Sequence, residues 1–151
     1  MSKSYIRRNK WNILLFLLAL LITILSFKYN LILQQPENIV ESFSINILTI
    51  DSIFAGFLFT GLGIMISISD KPRICDLDIA GYMDNYYNSI YIALIFLLIS
   101  TVATLGFINI ARVHYLLVIQ QLALIFGVMF FIKSVWDIIK IVEKVRKSIR
   151  S

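Results

Sequence analysis

Apolar residues run through this chain in long blocks, and the polar residues inside those blocks recur at a helical spacing. Between the carboxylates of Asp51 and Asp70 lie eighteen uncharged residues. On a helical wheel of about 100° per residue, Ser52, Gly56, Thr60, Gly63, Ser67 and Asp70 fall within an arc about 80° wide. Phe54, Phe57, Leu58, Met65 and Ile68 take the opposite side. Asn12, Ala19, Thr23, Ser26 and Asn30 repeat the pattern earlier in the chain. Later, Ser89, Ala93, Ser100 and Thr104 form a third such line, and Gln120, Ala123, Gly127 and Ser134 a fourth.

Four blocks are long enough to cross about 30 Å of hydrocarbon, which takes roughly 17–25 helical residues. They predict spans at about 11–30, 50–69, 88–108 and 113–135. Helix is the required state, because backbone groups in lipid must be satisfied within their own segment. The first block is too long for a signal peptide and no small-x-small cleavage site follows it, so it reads as a retained anchor. The fold class expected is an all-α membrane protein, an antiparallel four-transmembrane-helix bundle. A basic arm (1–10) precedes the transmembrane domain (11–136), and an amphipathic tail (137–151) follows it.

Composition agrees. The chain is 59% hydrophobic and 15% charged, with a mean hydropathy of +0.85, against about 45–50% and about 25% in soluble domains. The net charge of +5 informs through its placement. Lys3, Arg7, Arg8 and Lys10, then Lys71 and Arg73, then Lys133, Lys140, Lys144, Arg146, Lys147 and Arg150 all fall on one side of a four-span chain. Only Lys28 and Arg112 fall opposite. The positive-inside rule then puts both termini in the cytoplasm, in a bacterial inner membrane. Trp11 and Trp136 at inner ends, with Tyr29 and Tyr115 at outer ends, point the same way. The basic ends suit anionic lipid rather than nucleic acid.

The connections differ in character. The outer segment from about Asn30 to Thr49 ends in "NIVESFSINILTI", apolar enough to lie in the interface or to lengthen span two. The central loop from Asp70 to Asn88 is locally acidic, and Pro72 marks a stop for the second helix. Cys75 is the one cysteine and has no disulfide or metal partner nearby. In the tail, Ile138, Val142, Val145 and Ile149 share one face, which either continues span four or lies on the inner leaflet.

Chemistry is sparse. There is no HExxH, no GxSxG, no phosphate-cradling glycine loop and no metal-ligand cluster, and His114 stands alone. No enzyme, cofactor or metal is expected. The small-residue lines either pack helices together or, in the second span, line an aqueous path through an oligomer. On the path reading, Ser52, Gly56, Thr60, Gly63 and Ser67 line the lumen, with Asp51 and Asp70 at its mouths. Asp51 either serves there or caps the start of helix two. Gln120 and Gln121 point about 100° apart, so one bonds within its bundle and the other faces a neighbour or a lumen.

The second span's "FAGFLFTGLG" (Phe54 to Gly63), the charged cytoplasmic loop and "AGYM" (Ala80 to Met83) leading into a tyrosine-containing third span resemble the RexB-like family. These are small four-span inner-membrane proteins of phages and bacteria. The resemblance rests on Ala55 and Gly56 in the span and on Gly81, Tyr82 and Met83 in the loop. It implies a membrane-depolarising, ion-conducting effector of phage exclusion, homo-oligomeric and governed by a cytoplasmic sensor partner through that loop. The alternative is a non-conducting assembly or immunity factor that binds a membrane partner through the small-residue faces.

Overall fold

The computed structural model describes residues 10–29, 37–109 and 114–150, and those residues are helical apart from short turns. The helices are α1 (Lys10–Lys28), α2 (Glu37–Ser67), α3 (Pro72–Ile79), α4 (Tyr82–Asn109) and α5 (His114–Arg150). The arm before Lys10, the outer segment from Asn30 to Pro36, and Arg112 lie outside the described residues. So do the side chains of Arg73, Tyr82, His114 and Ile149.

Three stretches are long and apolar enough to cross a membrane: Glu41–Ser67, Met83–Asn109 and Tyr115–Arg146. The described apolar part of α1, Lys10–Ser26, is shorter. The chain is thus an all-α protein with the helices of a membrane bundle.

The α4–α5 pair is the spine, with α2 against α4 and α1 in the seam of α4 and α5. Directions follow from the residues that meet. Leu97 of α4 faces Gly127 of α5, while Ser89 meets Lys133, so these two helices run oppositely. Thr101 meets Asp51 and Tyr86 meets Gly61, so α2 opposes α4. The core between them contains Leu58, Met65, Met83, Tyr86, Ile90, Leu97 and Phe130. Leu15 of α1 packs against this core, and Phe16 of α1 meets Phe126 of α5 edge-on, at 5.8 Å between ring centroids.

Three boundaries that the sequence left open take a definite form. The outer segment lengthens the second span, since α2 begins at Glu37; Asp51 is therefore interior and does not cap the helix. The central loop is not irregular throughout. The second helix does stop short of Pro72, at Ser67, and Pro72 also opens α3 from its first turn, with Lys71 extended before it, a position where its missing N–H costs nothing. Finally, α5 runs unbroken through Trp136 into the tail. Its inward line there is Ile138, Ile141 and Val145, whereas Val142 is turned outward.

The turn from α3 into α4 depends on Gly81, buried at a φ of 78°. Its N–H bonds the Asp78 carbonyl at 2.8 Å, and the Ala80 N–H bonds the Asp76 carbonyl at 3.1 Å. A Cβ in this left-handed region costs roughly 1–2 kcal/mol. Gly81→Ala is expected to lower the unfolding midpoint of the purified protein in detergent by that equivalent. An unchanged midpoint would show that the turn tolerates a side chain.

Candidate functional site

The four small-residue lines do not all point the same way. On α1, Asn12 and Ala19 are buried and Thr23 and Ser26 half-buried. On α4, Ser89, Ala93, Ser100 and Thr104 are all sealed inside. On α5, Gln120, Ala123, Gly127 and Ser134 are likewise buried. The close approach at Gly127 explains its lack of a side chain: an added Cβ would lie 2.7 Å from Leu97 Cδ2. These three lines are the packing surfaces of the bundle.

The line on α2 is different. Ser52, Gly56, Thr60, Gly63 and Ser67 are all turned out of the bundle, as is Asp70 beyond the helix. A Cβ at Gly56 or Gly63 would meet nothing within 4 Å. The hydroxyls are satisfied locally: Ser52 donates to the Leu48 carbonyl at 2.8 Å and Thr60 to the Gly56 carbonyl at 2.8 Å. Ser67 donates to the Ile64 carbonyl at 2.8 Å. Packing against the bundle falls to Ser44, Ile47, Asp51, Leu58 and Met65, spaced three, four or seven apart. Phe57, grouped by the wheel with that inner side, is instead turned outward, with its ring 6.5 Å from Phe131. The outward side of α2 thus carries this small-residue line among the exposed Ile53, Phe57, Phe59, Ile64 and Ile66, with its hydroxyls bonded within the helix.

Two polar clusters lie within the bundle, and neither was apparent as a cluster from the wheel alone. In the first, the Lys133 ammonium pairs with Asp137 one turn on and donates to the Ser89 hydroxyl at 2.8 Å. The Ser89 proton lies within reach of the Asn85 carbonyl at 2.7 Å and of Asn12 Oδ1 at 3.1 Å. Lys133, counted above as a tail charge, is 9% exposed. The signal that identifies it is the opposite charge four residues later, at the level of Asn12 and Ser89. A groove of about 650 Å³ opens beside this cluster, lined in part by Trp11, Leu15, Met129, Lys133, Trp136 and Lys140. The Lys140 ammonium sits 5.7 Å over the Trp136 ring.

The second cluster contains Asp51, which is 1% exposed and faces α4 rather than the outward line. Thr101 donates to its Oδ2 at 3.4 Å. Ser100 donates to the Gln120 carbonyl at 3.1 Å, and Gln120 Nε2 reaches Ser44 at 3.3 Å. Gln120 thus bonds inside the bundle. Gln121 is half-buried, and its Nε2 has no hydrogen-bond partner among the described residues.

Of the residues read as a regulatory loop, Met83 lies in the first turn of α4 and is buried in the core, while Gly81 makes the turn before it, so both have structural work there. The described residues hold no group of three or more His, Cys, Asp or Glu able to share a metal ion. No known protein family, curated protein or solved structure matches the chain.

Proposed function

We propose that this protein is a four-span inner-membrane protein, with both termini cytoplasmic, that self-associates through the outward line of α2 and conducts ions as an effector in phage exclusion. The observation that carries the reading is the contrast between the lines. Three face their own bundle, while Ser52, Gly56, Thr60, Gly63 and Ser67 face away from it. Small residues gain little from lipid contact but let another helix approach closely, and several such lines around an axis make a wettable path. Basic residues at both chain ends and the resemblance to RexB-like proteins support the orientation and the biological role. A cytoplasmic sensor acting at the central loop fits the same reading.

A second reading has an observation of its own. Because Ser52, Thr60 and Ser67 spend their protons on their own helix, the line also suits dry helix–helix packing in a non-conducting assembly or immunity factor.

Thr60→Leu and Gly63→Leu separate the two. If the line is a lumen, either substitution abolishes ion flux in proteoliposomes while crosslinked oligomers persist. If it is a dry contact, the oligomer dissociates. Wild-type protein that passes no ions under any trigger ends the conducting reading.

A further inference from the structure

We propose that the groove between α1 and α5 holds one anionic phospholipid, its phosphate at Lys140 and Lys144 and its acyl chains along Leu15, Met129 and Ile132. The groove is lined from α1, α4 and α5 and takes no residue from α2. The site therefore goes beyond the conducting reading and needs only that the chain crosses a membrane.

The groove changes character along its length. On α5, Met129 and Ile132 line one end, and Lys140 and Lys144 follow Ile132 by about two and three turns. α1 runs oppositely, because Phe16 meets Phe126 whereas Asn12 shares Ser89 with Lys133. Leu15 thus lies toward the apolar end and Trp11 toward the basic one. The matching occupant is apolar at one end and anionic at the other.

Charge and level specify it further. The described lining has three lysines and two carboxylates, Asp137 and Glu143. Lys133 pairs with Asp137, which leaves one net positive charge at the rim for one phosphodiester to balance. The Lys140 ammonium stands 5.7 Å over the Trp136 ring. Trp136 and Trp11 are both exposed, as tryptophans are at the head-group level of a bilayer. Basic pockets between helices at that level suit lipid head groups, and about 650 Å³ is the volume of a small-molecule site. A soluble phosphate would leave the apolar end unfilled. The chain's own arm, residues 1–9, carries Lys3, Arg7 and Arg8 with no acid, so it has the wrong sign.

The chain has two tryptophans and both line the groove, so their fluorescence reports its occupant. The experiment reads quenching in phosphatidylcholine nanodiscs that contain a minor share of phosphatidylglycerol, with bromine near the carbonyl end of one lipid or the other. The preference for phosphatidylglycerol should be about 5–30-fold, and below about 2-fold when Lys140→Gln is combined with Lys144→Gln. Lys71→Gln with Arg146→Gln removes the same charge from exposed positions outside the lining and should keep the preference. If the first pair does not fold, Lys140→Gln alone, at an exposed side chain, should lose part of it. Equal quenching by the two lipids in wild type would overturn the proposal, as would a preference untouched by Lys140→Gln. An equal loss in both double variants would overturn it in favour of diffuse surface attraction. Displacement of the brominated phosphatidylglycerol by millimolar glycerol 3-phosphate would overturn it in favour of a soluble phosphate. No arm reads ion flux, so failure here leaves the conducting reading standing.

Discussion

Asp137→Ala is expected to cost about 3–5 kcal/mol, the typical loss when one member of a buried ion pair is removed. Lys133 would be left 9% exposed with only the Ser89 hydroxyl and no counter-charge. The pair itself is not the source of that figure, since desolvating both ions offsets most of their attraction. Lys133→Met combined with Asp137→Leu should therefore recover most of the loss. Denaturant unfolding in mixed micelles, followed by Trp11 and Trp136 fluorescence, measures both variants. A single substitution costing under about 1 kcal/mol would mean that water reaches the pair, as at an exposed surface.

Gly127→Ala should be the next most damaging of the conservative changes. The new Cβ would stand 2.7 Å from Leu97 Cδ2, 2.9 Å from its Cγ and 3.4 Å from its backbone nitrogen. Leu97 is 1% exposed within the core cluster, so any shift of its side chain is made against buried neighbours. Either it leaves its rotamer or α4 and α5 separate, at about 1–3 kcal/mol. Trimming the obstruction tests the cause: Gly127→Ala should cost less in a Leu97→Ala background than in wild type. Gly56→Ala is the control. With nothing within 4 Å of its Cβ, it should stabilise the isolated protomer by up to about 1 kcal/mol through helix propensity. If Gly127→Ala matches Gly56→Ala, the two helices are not in close contact at Leu97.

Periodicity exposed the existence of the lines but not their direction. An arc of small residues looks alike whether it faces a partner helix in the same chain or the outside. For α2 the missing information lay on the other side of the wheel, where Ser44, Asp51, Leu58 and Met65 recur every seven residues as a packing seam. Two polar members, Ser44 and Asp51, obscured that seam. Placing the second span at about residue 50 also made Asp51 look terminal, whereas α2 starts at Glu37. Its contact with Thr101 spans fifty positions, beyond the reach of any local pattern. Pro72 was ambiguous in principle, because proline is excluded from helix interiors and favoured in first turns. The burial of Lys133 was not legible because charge was read by type and position alone, without asking which face of α5 carried it.

The length of α5 has a mechanical consequence. At 1.5 Å per residue, its 37 residues extend about 55 Å. Fitting that rod wholly within about 30 Å of hydrocarbon would need a slant near 57°, outside the 0–40° that transmembrane helices adopt. A helix of this length that crosses the membrane therefore extends beyond the hydrocarbon. Because no proline or glycine follows Gly127 in α5, the turns beyond the hydrocarbon and the segment that carries the Lys133–Asp137 pair belong to one unbroken helix.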